Sequence, residues 1–465
     1  MNDIIPVTSI DVEGLARLYD GPTWLKDARV KALMSYKNLP YETSLLFNKY
    51  TNADAIDESI LSINYDYTTE VPEEVRSRID ELKDKDSIIV LQSGTSLKVI
   101  NMPRVDGVIV KDIKDACNDP EYSSMIESLI SRLDVTEDRF LALEYALFNS
   151  GYFIYIKEGI ELEHPIVVIS VLDGSSSVFS FNLLLLDKSS KVRVVQELYS
   201  ERNSSKQGCF ELNLAYIGNN SHVEMITTQG INNSIAYFTN RKAFLHDDSR
   251  LNSYMGLFGG KASRCKVDNI LEGRGASAEH FNVIFADGTQ VFDVTSNMIH
   301  LSKSSIGRVL SKAIVKDKAR SLFKGMIRIA KDAKGSESYL AGHAIILNKG
   351  ARADSIPALE IETNEVKATH SASVAQMDEE QIFYMMSRGM SRDDAKRAIV
   401  FGFVEPLLSR LSMDARIYTT YLVDCKWRGR PLILQSDDVM KEIWEVEEES
   451  RKMEEDIFEK HYKYR

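Results

Sequence analysis

Between Tyr152 and Thr369 the chain consists of short segments in which apolar and polar residues alternate, separated by turns rich in Gly, Asn, Asp and Ser. The segment KVRVV places Val192 and Val194 on one side of a strand and Arg193 on the other, and MIRIA repeats the pattern. Many short strands at near-regular spacing predict a sandwich, a barrel or a β-solenoid, and the pattern alone does not choose between them. A solenoid suits so long a run, because each coil buries its inward face only on its neighbours.

The segments on either side of this run are helical in character and divide the chain into three predicted domains. Residues 1–151 read as a mainly helical N-terminal domain, 152–370 as the strand-rich core and 371–465 as a helical C-terminal domain with an extended tail. Asp378 can cap one helix and Ser391 the next, which predicts a helical hairpin. In the tail, RIYTTYLVDCKWRGRPLIL is compatible with a β-hairpin, and DDVMKEIWEVEEESRKMEEDIFEK predicts a highly charged helix.

The composition limits the classes of partner. A formal net charge of −12 and a pI near 5.4 argue against a nucleic-acid backbone, whose phosphates need clustered Lys and Arg. No apolar run approaches the roughly 18 residues that cross a bilayer. The start MNDIIPVTSIDVEG lacks a basic segment followed by an apolar one, so no secretory signal is visible. We therefore expect a cytoplasmic protein with neither nucleic acid nor membrane as a partner.

The four cysteines are far apart in the sequence and form no CxxC pair: Cys117, Cys209, Cys265 and Cys425. This spacing argues against a disulfide framework and contains no local zinc or ferredoxin-type signature. Reduced, buried thiols are the favoured interpretation for each.

Two segments look like phosphate-binding loops but fail on spacing or context. GLFGGKAS lacks the Walker spacing and the Ser or Thr after the lysine, and GRGASA is followed by a strand instead of a helix. Both are interpreted as turns. The sequence contains neither HxH nor HExxH spacing and no GxSxG elbow, so no catalytic centre is visible. A β-helix enzyme that modifies polysaccharides remains an alternative, and it would need a secreted context and converging carboxylates.

Three motifs of the C-terminal third are distinctive: ADSIPALEI, the junction THSASVAQMDEEQIFY and the hairpin SRGMSRDDAKRAIVFGF. In these motifs the chain resembles the SufB/SufD family of iron–sulfur cluster assembly proteins. Weaker similarities occur in GYFIYIKEGIELEHPI and PTWLKDARVKALMSYKNLP, so nearly the whole chain is covered, whereas the region from Ser412 onwards has no counterpart in the family pattern.

The resemblance implies a fold, an activity and a set of partners. The fold would be mainly β, a right-handed parallel β-helix flanked by N-terminal and C-terminal helical domains. The chain would have no enzyme activity of its own. It would pair with a SufB-like subunit through the β-helix and hold a SufC-like ATPase on its C-terminal helices. A SufB-like homodimer is the alternative assembly.

The resemblance also assigns a role to His370, which stands alone where the strand-rich core meets the first C-terminal helix. The SufB pattern has a cysteine shortly before the IP of ADSIP and a glutamate after the junction histidine. Ala351 and its neighbours occupy the first place here and Ser371 the second, which favours the SufD branch. His370 would then be one ligand of a transient iron–sulfur cluster whose other ligands come from a partner. Without the resemblance, a hydrogen-bonded histidine in the end layer is the favoured interpretation.

The helical hairpin has two predicted faces. Part of one apolar set is expected to pack within the hairpin and on the end of the β-helix: Ile382, Phe383, Met386, Ile399, Val400 and Phe403. The outer face is expected to offer Tyr384, Arg388, Arg392 and Phe401 to the ATPase.

Overall fold

The structure is a computed structural model, and it describes residues 5–18, 21–47, 58–64, 68–103, 105–200, 207–430 and 432. The helices are α1 (Val12–Leu18), α2 (Thr23–Asn38), α3 (Glu73–Lys83), α4 (Ile113–Asn118), α5 (Ser123–Ile130), α6 (Arg139–Leu147), α7 (Glu379–Ser387), α8 (Arg392–Leu408) and α9 (Met413–Arg428).

The strands run through most of the chain, and ten-residue strands dominate its second half. They are β1 (Ile5–Pro6), β2 (Ser62–Ile63), β3 (Ile88–Ser93), β4 (Ser96–Asn101), β5 (Val108–Asp112), β6 (Tyr152–Ile156), β7 (Ile166–Leu172), β8 (Val178–Leu186), β9 (Lys191–Ser200), β10 (Gly208–Ile217), β11 (His222–Gln229), β12 (Ala236–Leu245), β13 (Arg250–Leu257), β14 (Ala262–Leu271), β15 (Ser277–Ala286), β16 (Val291–His300), β17 (Ile306–Val315), β18 (Arg320–Ile329), β19 (Glu337–Ile346), β20 (Arg352–Ile361) and β21 (Lys367–Gln376).

From β6 onwards, successive strands alternate between two sheets. The even-numbered strands pair in parallel in one sheet of nine strands, and the odd-numbered strands do the same in a sheet of ten. A chain that passes from one sheet to the other and back, always in the same direction, winds as a coil. The fold is therefore a parallel β-helix of about eight coils, with helices at both ends of the chain. This confirms the mainly β solenoid and excludes the sandwich and the barrel.

The two ends of the spiral differ. At the first end, β5 pairs antiparallel with β6, and β3 lies parallel to β7 and antiparallel to β4. These three strands come from the segment before residue 152, so part of that segment continues both sheets. At the other end, β20 and β21 are the outermost strands of their sheets.

The alternation predicted from the sequence sets the inside and outside of the spiral. Val192 and Val194 of β9 are buried in the interior cluster, whereas Arg193 on the outer face pairs with Glu224 of the next coil. Successive side chains of a strand point to opposite faces, so each inward residue stacks on the equivalent residue one coil away. The interior is thus a set of columns that run along the axis.

The coils are aligned at their corners by polar residues that repeat one coil apart. The hydroxyl oxygens of Ser305 and Ser336, 31 residues apart, lie 2.9 Å from each other, and Ser190 and Ser221 form an equivalent pair at 3.3 Å. GLFGGKAS lies at the corner between β13 and β14, and GRGASA at that between β14 and β15. Both are turns, as predicted.

The helices cover the outer faces of the two sheets. Helices α2 and α6 pack on the outer face of the nine-stranded sheet. Helices α3, α8 and α9 cover the outer face of the ten-stranded sheet. None of the helices among the described residues is long and apolar enough to span a membrane.

Buried ion pairs hold the N-terminal segment against the spiral. The fully buried Lys324 of β18 lies 3.0 Å from Glu42 of the segment after α2 and 2.8 Å from Asp293 of β16. The Arg264 guanidinium donates to the carboxylate of Asp138, which caps α6, at 2.6 Å. Charges removed from water need such partners, because an unpaired buried charge costs several kcal/mol.

The proposed β-hairpin in RIYTTYLVDCKWRGRPLIL is wrong, because most of this stretch forms α9. Tyr418, Leu422 and Cys425 repeat at helical spacing and are buried against the ten-stranded sheet. The helix ends at Gly429, which has a left-handed φ of 65°. The charged helix predicted within residues 437–460 lies outside the described residues.

The close approach of the sheets near the last coils yields a prediction about Gly342 of β19. A Cβ at this position would lie 2.4 Å from the Phe323 ring and 2.4 Å from Ser355 Oγ, so Gly342→Ala should strain the last coils. Overpacking of this kind typically costs about 1–3 kcal/mol. Chemical denaturation followed by circular dichroism would measure the loss of stability.

The matched control is Gly402→Ala, because a Cβ at Gly402 of α8 meets nothing within 4 Å. This change should leave stability unchanged or raise it, since alanine favours helix by up to about 1 kcal/mol over glycine. Equal stability of the Gly342 variant and the wild type would contradict the packing described for the last coils.

Candidate functional site

The end of the spiral formed by β20 and β21, called here the open end, presents two strand edges without ladder partners in the described part of the chain. Leu359 and Ile361 of β20 are 38% and 41% exposed, and Val374 of β21 is 44% exposed. Unpaired backbone groups beside exposed apolar side chains are a ready template for pairing with another chain.

His370 lies in the middle of β21 and belongs to the inward-facing set. It is in register with Leu340 of β19, which is fully buried inside the spiral. The Leu340 side chain lies against Gly325 of β18. In the last coil, the residue equivalent to Leu340 is His370, and the residue equivalent to Gly325 is Pro357. Since no coil follows, the imidazole is exposed, and it makes no hydrogen bond to any residue that the structure describes.

A second histidine near the open end, His343, points outward and has a hydrogen-bond partner. His343 of β19 is three residues from Leu340 and therefore points outward. Its Nδ1 lies 2.7 Å from the Oγ of Ser373 in β21. Partial burial and the nearby Lys312 cation lower the pKa of His343. The ring of His343 is thus engaged within the chain, whereas that of His370 has no hydrogen-bond partner among the described residues.

All four cysteines are buried and unpaired by disulfides. Burial raises the pKa of the Cys117 thiol to about 12, and burial also raises the pKa values of Cys209, Cys265 and Cys425. A thiol binds iron as the thiolate, which these sites disfavour. Across the described ranges, no group of three or more His, Cys, Asp or Glu side chains could hold a metal ion. A cluster bound at His370 would need ligands from elsewhere.

The predicted helical hairpin is present, with both predicted caps. The Asp378 side chain accepts a hydrogen bond from the Glu380 N–H at the start of α7, and Ser391 Oγ accepts one from the Asp394 N–H at the start of α8. Lys312 of β17 donates to the carbonyl of Phe403, which ties α8 to the ten-stranded sheet. The hairpin is thereby fixed beside the last coils.

The structure separates the four residues predicted to dock an ATPase. Tyr384 is 59% exposed and the Arg388 guanidinium lies over its ring at 5.1 Å, so these two form one exposed unit on α7. Arg392 is also exposed, but it pairs with Glu379 at 2.6 Å and bridges the starts of the two helices. Phe401 is partly buried, with Arg397 over its ring.

Part of the apolar set is buried, as expected. Ile382 and Val400 are fully buried, whereas Phe383 and Met386 are 72% and 41% exposed. The sequence IFYMM already indicates that some of these residues are exposed, because five consecutive apolar residues cannot all face one side of a helix. Phe383, Tyr384 and Met386 together are called the α7 surface below.

Comparison with known proteins assigns the family. Residues 169–403, more than half of the chain, match the model of the SufBD core domain of the SUF system for FeS cluster assembly. The chain is 27% identical over 423 residues to the iron–sulfur cluster assembly protein SufD of Bacillus subtilis, which covers 87% of this chain and 95% of the relative. An iron–sulfur cluster assembly SufBD family protein of Staphylococcus haemolyticus is 25% identical over 430 residues, with 90% of this chain and 92% of the relative covered.

These findings confirm the resemblance inferred from the sequence motifs, including its SufD-like character. The chain belongs to the SufBD family of iron–sulfur cluster assembly proteins.

Proposed function

We propose that this chain is a non-catalytic scaffold subunit that presents His370 to an iron–sulfur cluster during its assembly. The cluster is cargo, built at the contact between this chain and a SufB-type subunit and then handed on. The C-terminal helices hold a SufC-type ATPase beside that contact. The observation that carries the proposal is an exposed imidazole, without a partner in the described chain, at the open end.

The chemistry of the open end supports a shared site. Imidazole is a competent ligand to cluster iron, and a His-containing set binds iron with fewer thiolates than a full cysteine set. The cysteines of this chain are buried as neutral thiols, so the thiolate, and a carboxylate beside it, would come from the partner. A scaffold must release its product, and a site divided between two chains can be opened by separating them.

The shape of the open end supports pairing by strand addition. Strands β20 and β21 are ten residues long and offer main-chain donors and acceptors along their outer edges. The exposed Leu359, Ile361 and Val374 would be covered by a partner coil, as the next coil covers their equivalents further back. A SufB-type subunit is the proposed partner, and a second copy of this chain is the alternative that a mass measurement separates from it.

The α7 surface supports docking of the ATPase. Three large apolar side chains exposed on one nine-residue helix form a patch of the kind that marks a protein contact. Arg388 lies at its edge and adds a charge that can pair with an acidic groove. The pair Arg392–Glu379 is assigned to holding the hairpin together.

The remaining parts of the proposal are the domain bounds, the location and the choice between function classes. Residues 1–151, 152–370 and 371–465 are kept as the three proposed domains, and the location is proposed to be the cytoplasm. The polysaccharide-modifying enzyme is dropped, because the chain belongs to a family that assembles iron–sulfur clusters.

Replacement of His370 should lower cluster formation without affecting assembly of the complex. In a complex reconstituted with SufB-type and SufC-type subunits, His370→Ala removes one ligand, so anaerobic iron and sulfide analysis should find less cluster per complex. The matched control is His164→Ala, because His164 is an exposed histidine in the turn before β7, near the first end of the spiral. Equal cluster content in wild type and His370→Ala would remove the ligand role.

A charge placed at the open end should prevent pairing. Val374→Lys introduces an ammonium group into the face that the partner coil would cover, so native mass measurement should find this chain separate from the SufB-type subunit. Ile306→Lys is the control, since Ile306 has similar exposure, 42%, but lies on β17, away from the open end. An intact pair with Val374→Lys would contradict this interface.

Changes at the α7 surface should release the ATPase. Phe383→Ala or Tyr384→Ala removes apolar contact area, and Arg388→Glu reverses the charge, so each should reduce co-purification of the SufC-type subunit. Arg274→Glu, a charge reversal in the turn between β14 and β15, should leave it unchanged. Retention of the ATPase by all three α7 variants, with circular dichroism unchanged, would place the docking face elsewhere.

A further inference from the structure

The outer flank of the nine-stranded sheet carries a cavity of about 220 Å³ that the proposed function does not use. It lies where β14, β16, β18 and β20 begin, and Tyr41 from the segment after α2 lines it on the N-terminal side. Phe238, Val291 and Leu322 supply apolar surface. A concave site with apolar walls and a few polar groups is the usual form of a small-molecule site.

Most of the charged side chains that line this cavity are already paired. Arg264 binds Asp138, and Arg352 donates to Asp354 at 2.7 Å and 3.2 Å. The Asp293 carboxylate is neutralised by Lys324, as described above. Arg320 is the exception, because its guanidinium forms no hydrogen bond or ion pair with any described residue.

The surroundings of Arg320 make an anion favourable there. Arg320 and Arg352 are direct neighbours on the ladder between β18 and β20, and like charges in that position repel. The turns that lead into these strands add Lys318 and Lys349, both exposed. The carboxylates nearby are Asp317, in the same turn as Lys318, and Asp293 and Asp354, which are paired with Lys324 and Arg352. The buried Nε of Arg264 in the cavity wall also has no hydrogen-bond partner in the part of the chain that the structure describes.

We propose that this cavity binds a small organic anion, with one phosphate or carboxylate group on a planar apolar body. The guanidinium of Arg320 holds the anionic group, since its planar fork matches the oxygens of either group and an anion relieves the repulsion from Arg352. The body of the ligand lies against Val291 and Phe238, beside Tyr41. This site is distinct from His370 and from the α7 surface, but its last strand, β20, also borders the open end. The binding test uses this chain alone, so its outcome does not depend on the proposed pairing.

Phenyl phosphate is the probe, and binding to the full chain is measured by isothermal titration and by saturation-transfer NMR. We expect saturable binding to the wild type and a loss of about tenfold or more in affinity for Arg320→Gln, because a hydrogen-bonded charge pair is removed. Arg274→Gln, a neutralised arginine on the opposite corner of the spiral, should bind like the wild type. Benzoate should compete for the site, whereas benzyl alcohol and inorganic phosphate should bind more weakly than phenyl phosphate.

Several results would overturn this proposal. Equal binding of phenyl phosphate by Arg320→Gln and the wild type, or no saturable binding to the wild type, would exclude an anion site at Arg320. Inorganic phosphate binding as tightly as phenyl phosphate would exclude a role for the apolar walls. If Arg320→Gln weakened pairing with the SufB-type subunit and left phenyl phosphate binding unchanged, the arginine would be a protein contact.

Discussion

The parallel ladder between coils is the constraint on which the rest of this structure depends. One coil cannot bury its inward face alone, so every apolar column is completed by the coil before and the coil after it. In the interior, Val192 and Val194 are covered in this way from both sides. At the last coil the same geometry leaves a layer uncovered, and that layer carries His370. The exposure of the imidazole is thus a consequence of the spiral ending there.

At the first end of the spiral, the edges of both sheets are closed by antiparallel strands. There β4 and β5 pair antiparallel with their neighbours and close both sheets with strands of a different direction. No strand of the described chain does this for β20 and β21. The two ends therefore differ in how they can associate with another chain. Within the described part of the chain, the open end combines unpaired main-chain groups, exposed apolar side chains and an imidazole without a partner on one surface.

The helices contribute by covering the flanks, where their packing also brings charges together. The N-terminal segment is anchored through Glu42 on Lys324, and α6 through Asp138 on Arg264. The Arg264 guanidinium beside Asp138 holds the pKa of that carboxyl far below its usual range. Such pairs stabilise the packing of the N-terminal segment and α6 only when both partners are present, because either partner alone would be an unpaired buried charge. The cavity beside Arg320 lies at the edge of this charged region.

The amino-acid sequence by itself determined the strand periodicity, the turns and the caps at Asp378 and Ser391, because each depends on neighbours close in the chain. It placed His370 near the last strand, but the structure puts this residue in the middle of β21, which continues to Gln376. It did not determine that RIYTTYLVDCKWRGRPLIL is mostly helix or that Phe383 is exposed, since packing against the sheet decides both. Only the tertiary structure placed Arg320 beside Arg352 and Tyr41 beside Val291. Contacts between residues far apart in the chain arise from coil stacking and helix placement, and the local periodicity of the sequence predicts neither.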